Sequence, residues 1–301
     1  MKTLKILTSV ILLTAYLSVS AQDQQIKNVK RISINDIYIR MGSFIESNND
    51  GSLTDFKILA QQSILLNDDF SQNNISSKLG ISGSPVFSIM LGIKFSDKQK
   101  TTYKSNPLLR LGLSYFSGPN LSKTISVNNH NAYDTLTSSQ TGQSIYIDSV
   151  TSKDYFMKYS SDQIRFDGSL IFRSNAESRL SLFIGLGFTA GFSFNANTDI
   201  KYSKYEYIET PYSNTNQYNL HSTYSDTKII NENFINKTNI GGSVYVPMGI
   251  DFRIGRKSGF WKQIHLFYEI RTGINFTSIP ELRTIKYANL QYGLGMRYSM
   301  N

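Results

Sequence analysis

The sequence predicts an all-β fold, an antiparallel up-and-down transmembrane β-barrel of about eight strands with long extracellular loops. Three observations carry this. Leu180 to Asn195 alternates with a period of two, setting Leu180, Leu182, Ile184, Leu186, Phe188, Ala190, Phe192 and Phe194 against Ser181, Phe183, Gly185, Gly187, Thr189, Gly191, Ser193 and Asn195. That segment is long enough to cross a tilted bilayer path, which takes roughly 9–11 residues. The same two-row pattern recurs in eight segments, and the connections between them alternate long and short.

The first segment, Asp36 to Ile45, sets Ile37, Ile39 and Met41 against Asp36, Tyr38 and Arg40. In Pro85 to Phe95, Phe87, Ile89, Leu91, Ile93 and Phe95 oppose Ser88, Gly92 and Lys94. Leu108 to Phe116 opposes Leu109, Leu111, Leu113 and Tyr115 to Arg110, Gly112 and Ser114. Gln163 to Arg173 opposes Ile164, Phe166, Leu170 and Phe172 to Arg165, Asp167, Ser169 and Arg173. After Leu180 to Asn195 comes Ser243 to Gly255, with Val244 to Ile254 against Gly249, Asp251 and Arg253. Gln263 to Phe276 carries His265, Glu269, Arg271, Gly273 and Asn275 on its polar row, and Tyr287 to Met300 carries Asn289, Gln291, Gly293, Gly295 and Arg297.

No charged residue falls in the apolar rows. In a membrane barrel the apolar row meets lipid and the polar row fills the lumen, and a charge facing mid-bilayer lipid costs about 2–4 kcal/mol. A one-residue slip would turn Arg165, Asp167, Asp251, Arg253, Glu269 and Arg271 outward together, so the register is strongly specified. Glycines in the polar rows make room for arginines inside a narrow lumen. Aromatics crowd the strand ends, namely Tyr115, Phe116, Phe172, Phe194, Trp261, Tyr268, Phe276 and Tyr298, where an interfacial girdle belongs. The long connections, Glu46 to Ser84, Ser117 to Asp162 and Ala196 to Gly242, fall on one side. The connections Ser174 to Arg179 and Arg256 to Lys262 are short, and both chain ends then lie on their side, the periplasm.

Met1 to Ala21 reads as a secretory signal peptide, with Lys2 and Lys5, an apolar stretch from Ile6 to Tyr16, and Val19-Ser20-Ala21 before the cut. Residues 22–301 form one barrel domain. The chain has no cysteine and a formal charge of +9, but its basic residues are scattered, which argues against nucleic acid.

Two long connections show internal pattern. Ser52 to Leu66 is loosely helical through Phe56, Leu59, Ala60 and Ile64, and is expected over the barrel mouth. Ile125 to Thr135 and Ser144 to Met157 can pair around Thr141-Gly142-Gln143. Ten barrel strands would result if these crossed the membrane. Lys123, Asn129, Asp148 and Lys153 interrupt their outward rows, so they read as strand extensions in water.

The lumen charges are Asp36, Arg40, Arg110, Arg165, Asp167, Arg173, Asp251, Arg253, Glu269, Arg271 and Arg297. Residues two apart on a strand point the same way, which groups Asp36 with Arg40, Arg165 with Asp167, Asp251 with Arg253, and Glu269 with Arg271. A structural salt-bridge network is the preferred reading over an ion path, since about eight strands leave an interior just filled by side chains. His265 and Glu269 are about 13 Å apart along one strand, too far for a direct pair. His130 near Asp134 and His221 near Asp226 lie in connections, and no metal-ligand spacing is present. Tyr202, Tyr205, Tyr207, Tyr212, Tyr218 and Tyr224 form an aromatic run suited to surface contacts.

With these features the chain resembles the small outer-membrane β-barrel superfamily that includes the transmembrane domain of OmpA. The resemblance rests on the signal peptide, the eight two-row strands and the closing run Tyr292-Gly293-Leu294-Gly295-Met296-Arg297-Tyr298, which looks like a strand recognised by the barrel-assembly machinery. The final Asn301 departs from the usual terminal aromatic. The resemblance implies a Gram-negative outer-membrane location, contact with outer-membrane lipid and lipopolysaccharide, and no cofactor. A non-enzymatic structural or surface-contact role is expected; a narrow solute channel and an outer-membrane hydrolase are the alternatives.

Overall fold

A computed structural model describes residues 31–46, 50–68, 70, 83–96, 107–137, 139–140, 142, 144–174, 178–209, 225–255 and 259–300. The expected signal peptide, His221, Tyr212, Tyr218 and Tyr224 lie outside the described residues. Among the described residues nine strands form: β1 (Arg31–Glu46), β2 (Gly83–Ser96), β3 (Leu108–Thr137), β4 (Ser144–Arg173), β5 (Leu180–Glu209), β6 (Ser225–Ile235), β7 (Ile240–Arg253), β8 (Ile264–Ser278) and β9 (Thr284–Ser299). Two short helices accompany them, α1 (Leu53–Leu59) and α2 (Gly259–Gln263).

All pairings between these strands are antiparallel among the described residues, and β4–β5 and β9–β1 pairing closes the sheet into a ring. The ring has eight positions. Strand β5 pairs with β7 through its first half, Leu180 to Phe192, and with β6 through its second half, from Asn197 onward. Strands β6 and β7 therefore share one position, interrupted at 236–239. Asn236 N–H bonds the Ala196 carbonyl and Asn239 N–H bonds Ser193 Oγ, so the interruption is stitched to β5.

The wall is apolar outside and polar inside, the inverse of a water-soluble barrel. Leu182, Leu186 and Phe192 are 59%, 60% and 59% exposed, while Arg40, Asp167, Glu269 and Arg271 are fully buried. Lumen glycines provide clearance: a Cβ on Gly241 would lie 2.1 Å from Gln163 Oε1 and 2.7 Å from Arg165 Nη2. Phe116 departs from the expected girdle. It points inward, 3% exposed, against Phe44 and beneath the Arg165 guanidinium.

The connections Ser117 to Asp162 and Ala196 to Gly242 are strand for much of their length. Strands β3 and β4 continue as a hairpin to Thr137 and Ser144, and β5 and β6 run beside it. The ring thus stays at eight strands and grows taller on one side. Register breaks between Pro119 and Leu121 on β3, and between Ser193 and Asn195 opposite β4, fall at one level. Each inserted residue switches which side chains face out, as a bulge must in a period-two element.

Above that level the inner face is apolar. Leu121, Ile125, Tyr155, Met157, Tyr159, Ile200 and Tyr202 pack with Phe56, Leu59 and Leu66 into a second core over the barrel mouth. Helix α1 starts at a capping box in which Ser52 Oγ accepts from Asp55 N at 3.0 Å and Asp55 Oδ2 accepts from Ser52 N at 2.8 Å. Its Phe56 is fully buried. Ile64, expected on the same face, is instead 77% exposed, because the helix ends at Leu59 and a 3-10 turn at Leu65–Asn67 brings Leu65 and Leu66 inward in its place.

Candidate functional site

The lumen side chains lie in three layers. Nearest the short turns, Arg297 donates through Nη1 to Asp36 and through Nε to Asp251, both at 2.9 Å. Arg173 lies 3.3 Å from Asp251, and His265 Nδ1 lies 2.6 Å from it. Tyr38, Phe183 and Phe267 meet edge to face beside these charges.

In the middle layer Glu269 accepts from Arg110 and Arg271 at 2.6 Å each and lies 3.5 Å from Arg40. Asp167 accepts from Arg271 Nη1 at 2.7 Å and from the Tyr245 hydroxyl. Ser114 Oγ is 2.7 Å from Asp167. Three guanidinium groups thus share two carboxylates. The three nitrogens of Arg40 make no hydrogen bond within the described residues, although the group is fully buried.

The layer under the mouth is nearly uncharged. Arg165 donates to Gln163 Oε1 and Asn275 Oδ1, each at 2.7 Å. Gln163 donates to Asn239 Oδ1 and Asn239 donates to the Tyr159 hydroxyl, both at 2.8 Å.

Of the four same-strand groupings only Glu269 with Arg271 forms an ion pair. Asp36, Asp167 and Asp251 take partners from other strands, since a curved wall points their tips toward the axis, where other strands converge. Arg165 pairs with amides rather than with Asp167. Arg253 lies at the short-turn rim, with Nε buried and without a hydrogen-bond partner among the described residues. The residues the charge pattern passes over are Gln163, Asn239, Tyr245, His265 and Asn275. All but Asn239 hold inward positions readable from strand parity; Asn239 lies in the interruption before β7, where parity says nothing.

Two further expectations change. Tyr202 is 8% exposed, its ring tilted against Tyr155 with centroids 5.1 Å apart, and belongs to the upper core rather than to an outer contact surface. His130 lies 4.0 Å from Asp148, across the hairpin, and not beside Asp134 as sequence proximity suggested. No helix is long and apolar enough to cross a membrane, and no group of three potential metal ligands occurs, among the described residues.

On the outer wall of the upper sheet lies a trough of about 590 Å³ over β3, β4 and β5. Its floor is the cross-strand row Ser126, Asp154 and Ser203. Phe156 bounds it toward the barrel, and Tyr205 bounds it toward the tip with its hydroxyl donating to Asp154 at 2.9 Å.

No protein-family model matches the chain, and no characterised protein matches it significantly in sequence. Among solved structures, Neisserial surface protein A matches with 10% identity and a TM-score of 0.28, over 90% of this chain and 99% of that one.

Proposed function

We propose that this chain is an outer-membrane β-barrel with a filled lumen, acting non-enzymatically through the sheet it raises above the membrane. The observation that supports it is the inverted wall. Along β4 the exposed apolar row runs from Ile164 to Phe172, the span a bilayer crossing needs, while Arg165 and Asp167 between them are buried. In water that arrangement would expose a wide greasy belt and spend desolvation energy on charges that could have been solvated. Lipid on the outside reverses both costs.

The orientation follows from the connections. The tall end, with α1 and the β3–β6 sheet, lies outside the cell, and the short turns face the periplasm with Trp261 of α2 exposed at that boundary. Surrounding lipid and lipopolysaccharide are the constant partners, and the barrel-assembly machinery the transient one.

Cell fractionation combined with heat-modifiable gel mobility tests this. The expected result is recovery in the outer-membrane fraction, with unheated protein migrating faster than boiled protein. A detergent-free monomer in the periplasmic fraction would overturn it.

A further inference from the structure

The register breaks at Asn120 and Phe194 make the trough the upward continuation of the same outer wall that meets lipid below. On β4, which has no inserted residue, Phe156 and Asp154 share a face with Ile164 and Phe166. We propose that this trough binds the saccharide head group of a glycolipid anchored in the same leaflet. The inference rests on the membrane reading above, which sets the direction the trough faces and its height.

The height fits. Phe156 stands roughly 20 Å beyond Ile164 along a strand tilted about 40°, above the hydrocarbon and at the level of outer-leaflet sugars. The shape fits as well. The floor row Ser126, Asp154 and Ser203 is small and polar, sunk between the row Thr124, Phe156 and Lys201 below and the Tyr205 ring above. Its span across three strands is about 10 Å, room for one or two pyranose rings.

The chemistry is complementary to a sugar. A pyranose presents an apolar C–H face and a rim of hydroxyl donors. Tyr205 and Tyr207, 6.3 Å apart and 24° from parallel, offer an aromatic flank to the face. Asp154 accepts Tyr205 at Oδ2, and a carboxylate has lone pairs to spare for sugar hydroxyls. Other occupants fit less well. Strands β4 and β5 are paired on both sides at this level, and the edge of β3 that is not paired with β4 there lies beside the trough rather than across its floor, so an added peptide strand would extend the sheet without filling the trough. One carboxylate is too few for a metal. Phe156 alone gives little for an acyl chain.

The test uses the full protein in phosphocholine micelles, because glycoside detergents carry pyranose head groups of their own. The probes are core oligosaccharide released from rough lipopolysaccharide by mild acid, and free maltotriose and cellotriose, followed by saturation-transfer NMR. Wild type is expected to bind the core oligosaccharide, with Tyr205→Ala and Asp154→Asn each weakening it about tenfold while both variants keep heat-modifiable mobility. Absence of transfer to the core oligosaccharide would overturn the proposal, as would undiminished binding by both variants. Tighter binding of the free glucans than of the core would overturn the glycolipid assignment. Heat-modifiable mobility is scored on the same samples: its loss in wild type defeats the membrane reading, whereas its persistence without saccharide binding defeats only the trough.

Discussion

At the residue scale the lumen is a set of shared acceptors. Glu269 is the most shared, with Arg110, Arg271 and Arg40 converging on it. Replacing it with glutamine removes the charge but keeps the volume, leaving three buried cations with one carboxylate, Asp167. Removing one partner of a buried pair costs about 3–5 kcal/mol. Glu269→Gln is therefore expected to lower the unfolding free energy by about that amount, read as a fall in the urea midpoint in vesicles at unchanged m. Ser43→Ala, which loses one part-buried bond to the Ser84 carbonyl, should cost about 1 kcal/mol or less. Equal midpoints for the two variants would show that the charges are not held as the structure has them. The inward identity of each charged residue was legible from parity, but its partner was not. Parity fixes a side chain's direction. The partner depends on how far opposite strands stagger around the ring, which no single strand records.

At the element scale the upper sheet and α1 form a second core, separate from the barrel. Its apolar inward row, Ile125, Tyr155, Met157, Tyr159 and Ile200, was present in the sequence. Lys123 and Lys153 interrupt that row, so the sequence marks these segments only as strand extensions in water, and the inserted residues on β3 and β5 switch parity, so the barrel's inward rows do not carry over into it. Helix α1 was legible through Phe56 and Leu59, since helical spacing needs no partner to be seen. Phe56→Ala empties the centre of this core and should cost about 3–5 kcal/mol there. Limited proteolysis is expected to cut the segment around α1 readily in the variant, with heat-modifiable mobility unchanged; loss of that mobility would mean barrel and cap fold as one unit. The cap also has a pH response. Burial pushes the Tyr159 phenol up to about 12 from 10.0, opposed by the hydrogen bond from Asn239. Burial, then the hydrogen bond to Asp68, raises Tyr155 as well. Both groups hold their protons more tightly folded than unfolded. Their stabilisation is complete below about pH 10 and is lost as pH climbs toward 12 and beyond. Tyrosinate absorbance should rise together with protease sensitivity of the cap over that window, and ionisation without increased cutting would refute the coupling.

At the scale of the whole molecule, the question is whether a filled cylinder conducts. Three layers block the axis, and the middle one holds Arg40, Arg110 and Arg271 around Asp167 and Glu269. On the filled-lumen reading proposed above, fully buried side chains with packed aromatic neighbours close the axis to water, and an ion entering would meet one net positive charge with little solvent to screen it. Wild-type protein in planar bilayers is expected to give a flat trace at several salt concentrations. The double variant Arg110→Ala, Arg271→Ala removes two long side chains from this one layer and leaves one guanidinium against two carboxylates. The layer then carries one net negative charge, and water enters to solvate it, as it must when buried carboxylates lose their partners. Small cation-selective conductance steps are the expected outcome, with reversal potentials shifted toward the cation gradient. An anion-selective current, or conductance in the wild type equal to that of the variant, would show that the middle layer is not what closes the barrel.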